Sequence, residues 1–262
     1  MAQLNPPIRD WTDQVVWIVG ASSGIGEALA AQLTRQGARV IASARRQQVL
    51  DDMTPAPART IALDVADPDA IDRAITIMRN ERLVPDVVFW VAGVYHPMTS
   101  QALDLKGVRE TFEVNLIAAY KGLAAMLELW KSSPSQPRHW SWVSSVAGYR
   151  GLPQAAAYGA SKAALTYLAE TNYMELKREG IAISVVCPGF VQTRLTEVND
   201  FKMPAMISPD QAATLTLQGL ARGEFEIHYP KRFTRWLKLL RLLPYWIYFA
   251  LVSKTVKSPH GH

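Results

Sequence analysis

Cysteine is almost absent from this chain of 262 residues, because Cys187 is the only one. A single thiol excludes a disulfide framework within the chain and a cysteine-based metal site, so the cysteine usage gives no sign of an oxidising compartment. The five histidines show no metal-ligand spacing. Residues 1–30 lack the apolar run and cleavage site of a signal peptide. We therefore expect a cytoplasmic protein without a metal site, in which Cys187 is a small buried hydrophobic residue.

Acidic residues are absent from the end of the chain. Residues 227–262 contain seven Lys and Arg and no Asp or Glu, whereas residues 1–226 contain 21 Lys and Arg against 23 Asp and Glu. The tail therefore supplies the whole formal net charge of +5. A nucleic-acid-binding protein would spread its cations over a face of its core domain, so we predict no nucleic-acid partner.

The rest of the chain alternates between short apolar runs typical of strands and longer helical patterns. We predict strands at 14–19, 38–43, 59–63, 86–91, 139–144, 181–186 and 224–228. We predict the longer helices at 67–81, 106–131, 155–179 and 208–222. This alternation predicts one doubly wound α/β domain of the Rossmann type, with a parallel sheet of about seven strands. The domain comprises residues 1–229, and residues 230–262 form an extension of it, not a second domain.

A glycine-rich turn follows the first predicted strand. Gly20, Gly24 and Gly26 let the backbone approach a pyrophosphate, and the amides that open the next helix point at that anion. Ser22 and Ser23 add hydroxyl donors. A tight turn without a ligand is the alternative, but the strand–turn–helix–strand context favours a dinucleotide.

Two arginines end the second predicted strand, where a site that prefers NAD carries an acid for the ribose hydroxyl groups. The guanidinium groups of Arg45 and Arg46 suit the 2′-phosphate of NADP. The alternative is that both are ordinary solvated arginines. The position favours NADP(H) over NAD(H).

A tyrosine and a lysine are spaced to meet on one helix face. Tyr158 and Lys162 lie four residues apart, and an ammonium group beside a phenol lowers the pKa of that phenol, as a general acid/base requires. Ser145 ends the preceding strand and reaches the same sheet edge. Its hydroxyl could hold a substrate oxygen.

In order and spacing these motifs resemble the short-chain dehydrogenase/reductase family over roughly residues 12–228. The stretch from Gly20 to Gly26 resembles the family's cofactor turn, and Asp64 and Val65 its adenine contact. The resemblance implies a catalytic tetrad of Asn115, Ser145, Tyr158 and Lys162. It also implies that residues 188–193 meet the nicotinamide, and that Asn115 holds a water through its backbone.

The residue patterns and the resemblance together predict one set of cofactor contacts. These are Gly20, Ser22, Ser23, Gly24, Ile25, Gly26, Arg45, Arg46, Asp64, Val65, Ala92, Gly93, Tyr158, Lys162, Pro188, Gly189, Val191 and Thr193. Two departures concern backbone support, because the family usually has Thr where this chain has Val19 and Asn where it has Val91. We therefore expect the turn and the fourth-strand loop to be held differently.

The implied activity is an NADP(H)-dependent oxidoreductase that moves a hydride between the nicotinamide and a carbonyl or secondary alcohol. Tyr158 is expected to donate the proton, and Ser145 to bind the substrate oxygen. The alternative is a non-catalytic NADP-binding regulator or scaffold at a membrane surface, but the complete tetrad favours catalysis. The loops expected at the pocket indicate a lipophilic substrate by their apolar residues, which are Tyr95, Met98, Tyr149, Leu152, Phe201, Met203 and Met206. The resemblance suggests a homodimer or homotetramer.

The extension combines cations with large apolar side chains. Arg232, Arg235, Lys238 and Arg241 recur every three residues, which predicts a basic amphipathic helix. The following apolar run, 242–252, is shorter than the roughly twenty residues that span a bilayer. Three roles are open for residues 231–252: they lie on an anionic membrane, they cover the substrate pocket, or they pack in an oligomer interface. The membrane role is compatible with the other two.

Overall fold

The computed structural model describes residues 3–133, 137–197 and 203–253. Its strands are β1 (Val15–Val19), β2 (Arg39–Ala44), β3 (Arg59–Ala62), β4 (Val87–Trp90), β5 (Arg138–Val143), β6 (Ile181–Pro188) and β7 (Glu226–Tyr229). They pair in parallel in the order β3-β2-β1-β4-β5-β6-β7. The doubly wound α/β prediction is confirmed. Because the order reverses between β1 and β4, a ligand crevice is expected at the carboxyl ends of these two strands.

Helices cover both faces of the sheet. They are α1 (Gly24–Arg35), α2 (Gln47–Asp51), α3 (Ala70–Asn80), α4 (Leu105–Phe112), α5 (Ala118–Lys131), α6 (Ala156–Leu176), α7 (Arg194–Glu197), α8 (Pro209–Ala221), α9 (Lys231–Leu242) and α10 (Tyr245–Val252). The sequence did not predict the short helices α2 and α7. The predicted helix 106–131 consists of α4 and α5 joined by a π-helical turn, Glu113–Ile117. Such a turn is frequent at functional sites, and Asn115 lies within it.

Tryptophans fill the core on one face of the sheet. Trp140 stacks on Trp90 with ring centroids 5.7 Å apart, and Trp142 lies 4.8 Å from Trp140. Trp130 of α5 meets Trp140 edge-on. Trp140 and Trp142 are both fully buried. Cys187 is also fully buried, as predicted.

The extension forms α9 and α10, separated at Leu243 and Pro244. The break follows from Pro244, which disfavours helical backbone at the residue before it. No helix within the described residues is long and apolar enough to cross a membrane. Phe201, one of the apolar loop residues, lies outside the described residues, as do residues 254–262.

Candidate active site

A cavity of about 740 Å³ opens at the carboxyl ends of the strands. Most of the predicted site residues line it: Gly20, Ser22, Ser23, Gly24, Ile25, Arg45, Arg46, Asp64, Val65, Ala92, Gly93, Ser145, Tyr158, Lys162, Pro188, Gly189, Val191 and Thr193. The predicted residues Gly26 and Asn115 do not line the cavity; both are buried behind its lining. The cavity thus brings together the glycine turn, the two arginines and three members of the predicted tetrad.

The glycine turn is built so tightly that side chains have no room. Gly20 has a φ of 98°, and a Cβ atom there would lie 2.7 Å from the backbone nitrogen of Ala92. A Cβ atom on Gly26 would lie 2.1 Å from the carbonyl oxygen of Gly20. Because α1 begins at Gly24, its first amides lie at the cavity wall and can hold an anion. The glycine turn and the first amides of α1 therefore fit the pyrophosphate of a dinucleotide.

At Val19 and Val91, where the chain departs from the family, backbone hydrogen bonds hold the neighbouring segments. The amides of Gly20 and Ala21 donate to the carbonyl oxygen of Ser43 at 2.8 and 3.0 Å, which holds the turn that follows Val19. The amides of Val91 and Ala92 both donate to the carbonyl oxygen of Val19, at 2.9 and 2.8 Å. Main-chain bonds between neighbouring strands therefore hold the turn and the fourth-strand loop without the missing side chains.

The outer end of the cavity carries the charged residues of the second and third strands. Arg45 and Arg46 follow β2, and both are exposed to solvent at the cavity wall. Asp64 follows β3, and its carboxylate accepts a hydrogen bond of 3.1 Å from the amide of Ala66. A phosphate placed here would meet two guanidinium groups.

Three polar side chains meet at the inner end of the cavity. Ser145 follows β5, and Tyr158 lies in the first turn of α6 with Lys162 one turn later. Burial raises the pKa of Tyr158 to about 12, although hydrogen bonding with the Ser145 side chain lowers it in part. Burial lowers the pKa of Lys162 to about 8. At neutral pH, Tyr158 therefore holds its proton.

The structure differs from the expected effect of Lys162 on Tyr158. The Lys162 ammonium group lies 5.7 Å from the centre of the Tyr158 ring and donates a 2.9 Å hydrogen bond to the carbonyl oxygen of Val143. The pKa of Tyr158 is raised, because burial outweighs the hydrogen bond with the Ser145 side chain. Its phenol is a proton donor at neutral pH and not a phenolate.

Asn115 supports the loop after β4. Its Oδ1 accepts from the amide of Val94 at 2.8 Å, and its Nδ2 donates to the carbonyl oxygen of Val94 at 3.0 Å and to Ser161 Oγ at 3.0 Å. The side chain is fully buried. It thereby fixes the segment that leads from Gly93 to Tyr95 along the cavity wall.

Several lining residues were not predicted as catalytic or cofactor-contacting from the sequence, although Tyr95 was named as an apolar residue of a pocket loop. The Tyr95 ring lies 5.0 Å from the Tyr158 ring. His96 Nε2 lies 3.3 Å from a carboxylate oxygen of Glu110, and both residues line the cavity. Arg194 and Leu195 of α7 also line it. The available signal was that Tyr95 and His96 lie in the loop after β4, five and six residues beyond its end.

Comparisons with known proteins agree with this architecture. The sequence pattern of the family described as short chain dehydrogenase matches residues 14–202. An uncharacterized oxidoreductase of Myxococcus xanthus is 34% identical over 233 residues, which cover 87% of this chain and 91% of that protein.

Two solved structures have the same fold. A short chain dehydrogenase from Burkholderia cenocepacia in complex with NADP superposes with a TM-score of 0.81 at 23% identity, over 93% of this chain and 99% of that one. A 3-ketoacyl-(acyl-carrier-protein) reductase from Brucella melitensis complexed with NADH gives 0.76 at 20% identity, over 85% and 99%.

Proposed function

Since the chain belongs to the short-chain dehydrogenase/reductase family and is an oxidoreductase of CH–OH and C=O groups, we propose that it is an NADP(H)-dependent carbonyl reductase of lipophilic substrates. One observation carries the proposal. Ser145, Tyr158 and Lys162 share one cavity with the glycine turn and two arginines. A dinucleotide held along the turn would bring its nicotinamide end to the three polar side chains.

The residues around the cavity fit a nicotinamide cofactor. Bound NADPH supplies a hydride for the carbonyl carbon. The amides at the start of α1 would hold the pyrophosphate, and Arg45 and Arg46 the 2′-phosphate. The solved relatives include complexes with NADP and with NADH. The preference for NADP(H) therefore rests on the two arginines of this chain.

The proton chemistry follows from the inner end of the cavity. Tyr158 keeps its proton at neutral pH, because burial raises the pKa of its hydroxyl group to about 12. The tyrosine is therefore ready to donate a proton to a substrate oxygen as that oxygen becomes negative. Ser145 donates a hydrogen bond to the same oxygen and stabilises its charge. Lys162 holds ribose hydroxyl groups with its ammonium group. The reverse oxidation uses the same groups.

Apolar and aromatic surfaces support a lipophilic substrate and an assembly. Val94, Tyr95 and Leu195 line the cavity. On the outside, Tyr167 and Met174 of α6 are 73% and 68% exposed. Large exposed apolar side chains on one helix support the expected homodimer or homotetramer.

The exposed side of α9 and α10 supports peripheral membrane contact by an enzyme that we take to be cytoplasmic. We define the outer face as Arg232, Arg235, Trp236, Leu239, Leu242, Tyr245, Trp246 and Phe249, all of which are exposed. Trp236 is 69% exposed and Trp246 75% exposed, and tryptophan is enriched at membrane interfaces. Among the described residues, Arg232, Arg235 and Arg241 form no ion pair, so their charges are available to anionic headgroups.

Lys238, one of the four cations that recur every three residues, lies on the side of α9 that faces the domain, here called the inner side. Lys238 pairs with Glu226 of β7 and covers the Tyr149 ring at 5.8 Å. Lys238 therefore does not lie on the outer face. A three-residue spacing advances 300° around a helix with 3.6 residues per turn, so the row winds from the outer face to the inner side.

The proposed reaction can be tested with purified protein, NADPH and a series of straight-chain 2-ketones and aldehydes of increasing length. We expect NADPH consumption that increases with chain length. Tyr158→Phe should reduce turnover by on the order of a hundredfold while leaving NADPH affinity nearly unchanged, because only the proton donor is lost. A non-catalytic regulator would instead bind NADPH without consuming it, and Tyr158→Phe would then change nothing.

A further inference from the structure

The C-terminal helices contact the connection that joins the two reacting hydroxyl groups. This connection, residues 146–155, runs from Ser145 at the end of β5 to α6, which carries Tyr158. The Tyr149 hydroxyl group donates to Glu226 Oε1 at 2.6 Å, and the other carboxylate oxygen of Glu226 pairs with Lys238 of α9. The next residues along the connection contact α9 and α10 directly.

Arg150 is the centre of these contacts. Its Nη1 atom donates to the carbonyl oxygens of Leu240 and Leu243 at 2.8 Å each, and to that of Arg241 at 3.2 Å. Carbonyl groups at the end of a helix lack helical partners and carry partial negative charge, which suits a guanidinium group. The same group lies 3.9 Å from the Tyr248 ring centre and 4.8 Å from that of Tyr245. One side chain thus binds the end of α9 and two rings of α10.

Tyr248 completes the attachment from the other side. Its hydroxyl group donates a 2.6 Å hydrogen bond to the carbonyl oxygen of Gly151, and the residue is only 2% exposed although its neighbours on α10 face solvent. Arg150 and Tyr248 therefore hold the connection and the C-terminal helices together through reciprocal contacts.

The far side of the connection contacts the segment that follows β4. The amide of Met98 donates to the carbonyl oxygen of Gln154 at 3.3 Å, and Met98 pairs with Ala155. Gln154 has a φ of 61°, a left-handed conformation that surrounding contacts must hold. Met98 follows Tyr95, whose ring packs against Tyr158. The connection thus spans the distance between the C-terminal helices and the segment beside the reacting phenol.

We infer that Arg150 is a positioning residue for substrate binding, and that it acts by holding the connection between Ser145 and Tyr158 against α9 and α10. The inference rests on the proposed function, because it takes Ser145 and Tyr158 as the reacting groups. Arg150 does not line the cavity with them. Its effect on the reaction therefore passes through residues 151–155.

The test compares Arg150→Ala, Arg150→Lys and Lys231→Gln in the full chain. Lys231 is the matched control, because it pairs with Glu224 at the other end of α9. For Arg150→Ala we expect a KM for the best ketone of the series raised on the order of tenfold, with kcat changed less than about threefold, as expected when binding is lost but chemistry is kept. NADPH affinity should not change. Arg150→Lys should recover part of the loss, because lysine can donate to the carbonyl groups but has no planar group to stack on the rings.

Amide hydrogen exchange measured by mass spectrometry gives a readout that needs no turnover. Exchange in residues 146–155 should rise in Arg150→Ala and in Tyr248→Phe, which removes only the hydroxyl group bound to Gly151, and should stay unchanged in residues 20–26. Unchanged exchange in Arg150→Ala, or raised exchange with wild-type KM, would overturn the inference. If Arg150→Ala is poorly folded, Tyr248→Phe decides by the same two criteria. If no ketone is reduced, the proposed reaction is wrong. The exchange measurement remains valid in that case: raised exchange in residues 146–155 shows that Arg150 holds the connection, and unchanged exchange shows that it does not.

Discussion

The ammonium group of Lys162 donates a 2.9 Å hydrogen bond to the carbonyl oxygen of Val143, the last residue of the strand that leads to Ser145. Lys162 is only 3% exposed, and burial lowers its pKa from 10.5 to about 8. The lysine is therefore charged at pH 7 and largely neutral at pH 9. The strength of a hydrogen bond from this group to a ribose hydroxyl group should change within that window.

We predict that NADPH affinity falls when the pH rises from 7 to 9. A hydrogen bond from a charged donor contributes about 1 kcal/mol more than one from a neutral donor, so the dissociation constant should rise on the order of fivefold. Titration of NADPH fluorescence at the two pH values measures this change. Lys162→Met should bind more weakly at pH 7 and show little further loss at pH 9. Equal slopes in the variant and the wild type would show that another group is responsible.

A second prediction concerns the arginines after β2. Losing a guanidinium group that faces a phosphate costs about 1.5–3 kcal/mol, or roughly ten- to a hundredfold in affinity. We expect NADPH to bind more tightly than NADH, and Arg45→Ala to narrow that gap more than Arg46→Ala. Arg39→Ala is the matched control, since Arg39 is an exposed arginine at the opposite end of the same strand. Fluorescence titration with NADPH and with NADH measures these affinities. Equal affinities of the wild type for the two cofactors would refute the prediction.

The proposed reacting groups could be named from the sequence because each lies in a local pattern with a fixed place in the fold. The glycine turn follows a strand, and Tyr158 and Lys162 are one helical turn apart. The carboxyl ends of parallel strands then bring these patterns together without further information. The supporting contacts depend instead on distant residues. The carbonyl oxygen of Ser43 accepts from the amides of Gly20 and Ala21 and holds the turn, which only the pairing of β1 with β2 could show.

Long-range packing also explains why the role of the extension was left open. Arg150 reads as a surface arginine in the sequence, but its partners are about ninety residues away on α9. Lys238 reads as one of four equivalent cations, but Glu226 of β7 fixes it on the inner side. The spacing of apolar residues predicts helices well, but it does not tell which side of a terminal helix the domain will cover.

The last prediction is that the outer face of α9 and α10 binds anionic membranes. Near a charged surface each Arg contributes about 1 kcal/mol, so Arg232 and Arg235 together favour anionic over neutral vesicles on the order of thirtyfold at low salt. The preference should decline as salt screens the charges, whereas burial of Trp236 and Trp246 does not depend on salt. Co-sedimentation with phosphatidylcholine vesicles, with and without phosphatidylglycerol, measures both contributions.

Changing Arg232 and Arg235 to Gln should remove the preference for anionic vesicles without altering NADPH affinity. A matched control changes Arg35 and Arg39 to Gln, which lowers the net charge equally at exposed positions elsewhere. Trp236 and Trp246 also provide a local signal, because the other six tryptophans are buried. Their fluorescence should shift to shorter wavelength on vesicle binding, as expected for indole rings that leave water. If neither vesicle type binds, and Trp236→Ser with Trp246→Ser instead reduces the size of the assembly, then a second copy of the chain covers this face and the membrane proposal is wrong.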